Sequence, residues 1–75
     1  MNFNELVQQE LDSARSKYPI MFHSHHEAYA VLKEEVDEYW DEVKKKNSNK
    51  ENMKEEIIQI AAIAKAIYQD LLEEK

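Results

Sequence analysis

Cysteine and glycine are absent from this chain of 75 residues, and proline occurs once, at Pro19. Without cysteine there are no disulfides, so a domain this small depends on its core, a metal or partner subunits for stability. Without glycine the turns must be formed by Asn, Ser and His. A sequence with so few helix-breaking residues is typical of a helical protein. The composition therefore predicts a single all-α domain over residues 1–75.

Long apolar runs and an excess of basic residues are also missing. No apolar stretch reaches the roughly 18 residues that span a bilayer, and the N-terminal sequence MNFNELVQQELD carries acids where a secretory signal has lysines. We therefore expect a cytoplasmic protein with no membrane partner.

The chain has 10 Lys and Arg residues against 16 Asp and Glu, a formal net charge of −6. This balance argues against nucleic acid as a partner and suits a protein that collects cations.

Apolar spacing and capping residues predict three helices. The first covers roughly residues 4–17, with an apolar residue about once per turn. Ser24 and Glu27 then form a capping box that starts the second helix near residue 25, and this helix runs to about residue 46. The same pattern at Ser48 and Glu51 starts a third helix that continues to about residue 72. Because the connectors are short, the helices should form an antiparallel bundle of three main helices.

The second and third helices carry broad apolar stripes that are predicted to form the core. The stripe on the second helix consists of Tyr29, Leu32, Val36, Trp40 and Val43. The stripe on the third helix consists of Met53, Ile57, Ile60, Ala61, Ala64, Ile67, Tyr68 and Leu71. Ala62, Ile63 and Ala66 make much of the remaining circumference of the third helix apolar too. Two other helices do not cover such a helix, so we expect oligomerisation to complete the bundle, as a homo-oligomeric dimer or tetramer with the third helix at the interface.

Acids spaced by one helical turn form the candidate site. Glu35 and Glu38 lie three residues apart in EEVDEYWDEV and share a face of the second helix, and Glu56 and Gln59 repeat this spacing on the third. Two antiparallel helices would bring these four oxygen-bearing side chains together. Such oxygens suit Mg²⁺ or Mn²⁺ when water or substrate phosphates fill the other positions. The sequence thus predicts a metal site formed by Glu35, Glu38, Glu56 and Gln59.

This pattern resembles the MazG-type nucleotide pyrophosphohydrolases of the all-alpha NTP pyrophosphatase superfamily. The resemblance covers about residues 27–66, including EAYAVLKEEVDEYWDEV and KEEIIQIAAIA, and extends to small MazG-like proteins of bacteria and their phages. Glu35 and Glu38 match the first acid pair of the family, E-x-x-E, and Glu56 matches the first acid of the second pair, E-x-x-D. Gln59 stands where the family has Asp, and the chain is short for the family.

The resemblance implies an enzyme that cleaves an NTP or dNTP to the monophosphate and pyrophosphate. It implies Mg²⁺ or Mn²⁺ held by Glu35, Glu38 and Glu56, with Gln59 as a weak or outer partner. Glu35 and Glu38 are then the catalytic carboxylates, one of which orients or deprotonates the attacking water. The family also implies a nucleotide substrate whose base contacts come from the first helix and from neighbouring subunits. A neutral amide at Gln59 supplies an oxygen but no charge, so metal affinity should be lower than with Asp.

Other interpretations of the same residues stay open. A charge-rich helix is often a solvated face, and the chain is then a non-catalytic helical interaction module with a degraded metal site, or a nucleotide sensor without hydrolysis. His23, His25 and His26 are better explained as loop imidazoles than as a Zn²⁺ site, because adjacent side chains diverge and no cysteine supports them. Trp40 and its aromatic neighbours can stack on a base, although aromatics at helical spacing are more often core.

Overall fold

The computed structural model of the protein describes residues 1–74, which form three α-helices joined by two short connectors. Helix α1 covers Phe3–Lys17, α2 covers His25–Val43 and α3 covers Lys50–Ile67, and a π-helical turn follows at Tyr68–Leu72. None of these helices is long and apolar enough to cross a membrane. The predicted all-α fold with three main helices is confirmed, and Lys75 lies outside the described residues.

The helix caps are made by short polar side chains, partly at the predicted positions. Ser24 caps α2, and its hydroxyl accepts from the backbone N–H of Glu27 at 3.1 Å. The Glu27 carboxylate accepts from the backbone N–H of His23, not of Ser24, so the predicted reciprocal bond is absent. Helix α3 is capped by Asn49, which accepts two N–H groups of the first turn, and not by Ser48. Each cap satisfies N–H groups that have no partner within their own helix.

Helix α2 ends at Val43, and the prediction that it continues to residue 46 is wrong. The chain turns back because the Glu42 carboxylate accepts from the backbone N–H of Asn49 at 3.2 Å, which ties the end of α2 to the start of α3. Lys45 also donates to Glu42, at 2.8 Å. Among residues 1–74 no residue has positive φ, so this turn is made without the left-handed conformation that favours glycine.

The core lies where α1, α2 and the first connector meet α3, which contacts both other helices extensively. Its buried apolar side chains are Val7, Leu11, Phe22, Ala28, Ala62, Ile63 and Ala66. Several of these are small, and small side chains allow helices to pack closely. The predicted stripe on α1 is confirmed at Val7 and Leu11, which are buried, but not at Phe3, which is 50% exposed.

The stripe predicted as the core of α2 points largely outward, although Leu32 packs against the core. The predicted stripe of α3 is divided: Ala61, Ile67 and Leu71 pack against the core, whereas Ile57, Ala64 and Tyr68 are exposed. Tyr29, Trp40 and Tyr68 are 64%, 57% and 58% exposed, respectively. On α2 the residue buried in the core is Ala28 instead, and on α3 the buried face includes Ala66. The hydrophobic pattern gives the apolar surfaces of a helix but not which of them meets its neighbour. For these exposed aromatics the predicted core position is wrong within one copy of the chain.

A buried ion pair joins α1, the first connector and the end of the chain. Arg15 pairs with Asp70 at 3.0 Å, and the same Asp70 carboxylate accepts from the backbone N–H groups of Met21 and Phe22 at 2.9 and 3.1 Å. Arg15 also donates to the carbonyl oxygen of Pro19 at 2.8 Å. These bonds hold the connector against the helices and so help to place the Phe22 side chain in the core.

Candidate metal centre

Three carboxylates converge between α2 and α3. Glu35 and Glu38 occupy successive turns of α2, and Glu56 lies in the first half of α3. Each offers one oxygen to a cluster in which these oxygens all lie within 4.8 Å of one another. Three of the four predicted metal ligands are therefore close enough to share one ion.

Two oxygens of this cluster are buried without a hydrogen-bond partner, namely Glu35 Oε2 and Glu56 Oε2. An ionised carboxylate only accepts hydrogen bonds, and a buried oxygen without a donor lowers stability. Such atoms are rare in folded proteins, and here two from different helices belong to the same cluster. A hard divalent cation between Glu35 and Glu56 would satisfy both, so this donor set fits Mg²⁺ or Mn²⁺.

Lysine side chains neutralise other acids of α2 and α3 but form no ion pair with this cluster within residues 1–74. On the solvent side of α2, Lys33 pairs with Asp37 at 2.8 Å and Lys44 pairs with Asp41 at 3.1 Å. These two aspartates point to solvent, apart from the cluster, and their side chains are 58% and 61% exposed. The three glutamates thus form a locally uncompensated negative group.

Burial and repulsion from neighbouring acids disfavour the charged forms of the Glu35 and Glu56 carboxyls. Burial raises the pKa of Glu35 to about 7, and the close approach of the Glu38 carboxylate and the repulsion from Glu38 and Glu56 act in the same direction. Burial also raises the pKa of Glu56, with repulsion from Glu38 as the next cause. Near neutral pH Glu35 therefore carries a proton in part of the molecules, and a bound cation would displace it.

Gln59 lies one turn after Glu56 and lines a cleft of about 310 Å³ together with Glu35. The cleft is bounded by α1, α2 and α3, and its walls are mostly apolar, with Leu11 and Val31 among them. Gln59 is half-buried, and it follows the cluster residue Glu56 by one helical turn while lining the cleft. This position is compatible with either a metal ligand or a contact to a bound molecule.

Glu10 is a polar residue of this cleft that the sequence analysis missed. It lies on α1, and with Gln59 it lines both the cleft and an adjoining depression on the far side. A signal was available, because Glu10 follows Val7 by three residues and precedes Ala14 by four, which places it beside the buried stripe. An acid at the edge of an apolar helix face is a candidate for contact with a ligand.

Glu42 lies on the same face of α2 as Glu35 but has a different role. It is 7% exposed, and it accepts from the Asn49 backbone and from the Asn52 side chain at 3.2 and 3.4 Å. Lys45 lowers the pKa of Glu42, and these hydrogen bonds act in the same direction. Glu42 is therefore a structural acid at the α2–α3 connector, and Asn52 contributes to that connector.

The raised pKa of Glu35 predicts a pH-dependent metal affinity. The protonated form of Glu35 stabilises the metal-free fold below its ordinary value of 4.5, and this contribution is lost as the pH rises through about 7. Mg²⁺ must displace the proton, so we expect binding to be roughly tenfold weaker at pH 6 than at pH 8. Calorimetric titration at the two pH values measures this, and equal affinities would contradict the assignment of Glu35 as a ligand.

Comparison of the chain with protein-family models, with curated proteins and with solved structures finds no match.

Proposed function

We propose that this protein is a Mg²⁺-dependent nucleotide pyrophosphohydrolase of the MazG-like type, which converts an NTP or dNTP to the monophosphate and pyrophosphate. The observation that supports it best is the convergence of Glu35, Glu38 and Glu56, with two buried carboxylate oxygens that have no protein donor. When bound, Mg²⁺ neutralises phosphate charge and so lets this acidic site accept an anionic substrate. The choice of a nucleotide as the substrate rests on the resemblance of the acidic motifs to those of the MazG-type family.

In the proposed reaction, water attacks the α-phosphorus and the bond from this phosphorus to the bridging oxygen breaks. The electron pair of that bond leaves with pyrophosphate, and the proton of the water passes to a carboxylate. Glu35 and Glu38 are the proposed catalytic residues, because they lie together in the cluster and one of them can orient the water or take its proton. The pKa of Glu35, about 7, belongs to the metal-free site, and a bound Mg²⁺ would lower it, so Glu35 would enter the reaction as the ionised carboxylate.

The proposed active form is a cytoplasmic homo-oligomer, a dimer or tetramer, with α3 at the interface. Two observations support the assembly: α3 leaves Ile57 and Tyr68 exposed, and the buried core within residues 1–74 is small, with four larger apolar side chains and three alanines. A small monomer with so little buried apolar surface gains stability from association. The cleft beside Glu35 then offers room for the nucleoside portion of the substrate.

The proposal is tested with a panel of NTPs and dNTPs in the presence of Mg²⁺ or Mn²⁺. We expect release of pyrophosphate from at least one nucleotide, and metal uptake in a calorimeter that Glu38→Ala abolishes. The exposed acid Asp41 provides the control, since Asp41→Ala should leave both measurements unchanged. A chain with no turnover on the panel and no metal uptake sensitive to Glu38 is not an enzyme of this type.

A non-catalytic interaction module with a degraded metal site is the second candidate, and Gln59 is the observation that favours it. The amide lacks the charge that an acid at this position would bring to the ion. If the chain is a weakened enzyme, Gln59→Asp should raise Mg²⁺ affinity, and we expect an increase of roughly tenfold from the added charge. If it is only a scaffold, the same substitution should lower the melting temperature without metal uptake, because it adds a partly buried charge.

Gln59→Asn is the matched control for this experiment, since it shortens the side chain in the same way without adding charge. A gain in affinity with Gln59→Asp and not with Gln59→Asn assigns the effect to the carboxylate. Nucleotide-dependent melting shifts without product would instead identify a sensor that binds nucleotides and does not hydrolyse them.

A further inference from the structure

The cleft beside the acidic cluster combines apolar walls with a small number of polar groups. All three helices and the first connector contribute apolar side chains to it, among them Leu11 and Ile63. Its polar members are Glu10 of α1, Glu35 of α2 and Gln59 of α3. Apolar walls with a few polar groups are the composition of small-molecule sites, and the volume of about 310 Å³ is at the lower end of their range.

We infer that the cleft selects a guanine base, with the Glu10 carboxylate accepting hydrogen bonds from N1–H and from the 2-amino group of that base. This rests on the proposed function, because the ligand is taken to be a nucleotide whose phosphates lie at the acidic cluster. Glu10 is then a specificity-determining residue, which the hydrolysis of the phosphate bond does not itself require.

The charge of the cleft identifies which part of a nucleotide enters it. Among residues 1–74, those that line the cleft include no Lys or Arg, and two of them are glutamates. Phosphate groups are therefore repelled from the cleft and stay with a metal ion at the acidic cluster. Because Glu35 belongs to the cluster and also lines the cleft, the uncharged nucleoside portion extends from one into the other. The apolar side chains of the cleft then cover the faces of the base.

Glu10 and Gln59 are available to contact a ligand. Both line the cleft and the adjoining depression, so both side chains lie where the two meet. Within residues 1–74 neither side chain forms a hydrogen bond or an ion pair with the protein, whereas Gln8 of α1 donates to Asp12 and accepts from Lys65. An exposed carboxylate and a half-buried amide thus remain for the polar edge of a base.

The hydrogen-bonding pattern of the common bases favours guanine. An ionised carboxylate only accepts hydrogen bonds, and its two oxygens can bind two adjacent donors. On its pairing edge guanine presents two adjacent donors, N1–H and the 2-amino group. Adenine and cytosine present an amino group next to a ring nitrogen with a lone pair, and uracil and thymine present one N–H between two carbonyl oxygens. These acceptors repel a carboxylate, so Glu10 is complementary to guanine alone.

Gln59 complements the remaining group on the same edge of guanine. Next to N1–H the base carries the acceptor O6, and the Gln59 amide can donate a hydrogen bond to it. An ionised Asp, which the MazG-type motif has at this position, has no donor to offer. The amide that weakens a metal site therefore suits a base site.

Turnover of dGTP, dITP and dTTP with Mg²⁺ tests the inference, with Glu10→Gln as the variant and Asp12→Asn as the matched control. dITP differs from dGTP only in lacking the 2-amino group, so it loses one of the two bonds to Glu10. We expect the wild-type kcat/KM for dGTP to exceed that for dITP roughly 10- to 100-fold, the effect of one hydrogen bond to a charged group, and that for dTTP by more. Glu10→Gln should lose most of this preference. Asp12→Asn should keep it, because Asp12 is an exposed acid of the same helix that does not line the cleft.

Binding of the free nucleosides is a second measurement, which requires neither metal nor turnover. Deoxyguanosine, deoxyinosine and thymidine are titrated into the protein without Mg²⁺ and followed by NMR, with the side-chain amide signals of Gln59 as the local reporter. We expect deoxyguanosine to bind at least about tenfold more tightly than deoxyinosine and to shift the Gln59 signals. Glu10→Gln should remove this advantage.

Similar kcat/KM values for dGTP, dITP and dTTP overturn the inference and leave the proposed function standing. A Glu10→Gln variant that loses activity on all three nucleotides equally does the same, because Glu10 then acts on a part that they share. If no nucleotide is turned over, the proposed function is contradicted and the nucleoside titration decides. A preference for deoxyguanosine that depends on Glu10 supports a guanine site without hydrolysis, and equal binding or none overturns it. If Glu10→Gln does not fold, the wild-type preference for deoxyguanosine over deoxyinosine decides alone.

Discussion

Glu35→Gln is expected to stabilise the metal-free protein and, at the same time, to abolish Mg²⁺ binding and turnover. Above its pKa of about 7, Glu35 is held as a half-buried anion beside Glu38 and Glu56. Removal of this charge relieves repulsion and desolvation, and we expect a gain of about 1–2 kcal/mol in the free energy of unfolding after allowance for solvent screening. Loss of a metal ligand and catalytic carboxylate should reduce turnover at least about 100-fold.

The opposite signs of these effects separate a functional carboxylate from a structural one. A structural acid such as Glu42 is satisfied by backbone and side-chain donors, so its replacement should lower stability. Glu35 Oε2 has no donor, and its present environment is unfavourable to the charge unless a cation is bound. Binding sites commonly retain such unfavourable arrangements, since function rather than stability selects them.

Thermal unfolding with and without Mg²⁺, together with calorimetric titration, measures both effects of Glu35→Gln. Asp41→Asn is the control, because Asp41 is an exposed acid of the same helix and should change neither metal uptake nor stability appreciably. Mg²⁺ should raise the melting temperature of the wild type and of the control but not of Glu35→Gln. A less stable Glu35→Gln variant that still takes up Mg²⁺ would show that Glu35 has a structural role only.

The acidic cluster could be predicted from the sequence because it depends mainly on helical periodicity. Spacing of three residues puts Glu35 and Glu38 on one face regardless of tertiary packing. The short connector then requires α2 and α3 to be antiparallel, which brings Glu56 to the level of Glu38. The angular position of Glu38 relative to Asp37 and Asp41 also follows from the sequence, and the exposure of both aspartates agrees with it.

The inward faces of α2 and α3 could not be predicted in the same way. Both helices have two apolar surfaces, one of small residues such as Ala28 and Ala66 and one of large residues such as Trp40. Hydrophobicity alone assigns the larger side chains to the core. Within one copy the alanines are buried because they let the backbones approach, and Ile63 is buried with them, whereas Trp40 and Tyr68 stay exposed.

The Arg15–Asp70 ion pair could not be predicted from the sequence, because it joins residues far apart in the chain. No periodic pattern relates a residue near the end of α1 to one in the π-helical turn. Asp70 is an acid that stands next to Leu71 and Leu72 in the sequence. This position was the one indication that its side chain is buried. Its partners, the backbone N–H groups of Met21 and Phe22, lie in a connector whose path depends on the tertiary structure.

Asp70→Asn is expected to cost about 3 kcal/mol in the free energy of unfolding, the largest stability loss among the substitutions proposed for this protein. The Asp70 side chain is 8% exposed, and an amide in its place keeps one acceptor for the connector N–H groups but leaves the Arg15 guanidinium without its counter-charge. Burial pushes the pKa of Asp70 upward, but Arg15 and the N–H groups of Phe22 and Met21 outweigh it and hold the pKa below the ordinary value of 3.8. The ionised carboxylate therefore stabilises the fold above that value, and the contribution is lost as the pH falls through the lower folded-state pKa.

Chemical denaturation of Asp70→Asn, with Asp37→Asn as the control, tests this role. Asp37 pairs with Lys33 at a shorter distance, 2.8 Å against 3.0 Å, but both side chains of that pair are more than half exposed. Exposed pairs contribute little, so Asp37→Asn should unfold at nearly the same denaturant concentration as the wild type. The loss in Asp70→Asn should also shrink when the wild type is measured at a pH below the folded-state pKa, since protonated Asp70 no longer pairs with Arg15. Equal midpoints for the two variants at neutral pH would mean that burial does not strengthen the Arg15–Asp70 pair, and that the connector is held by the packing of Phe22 alone.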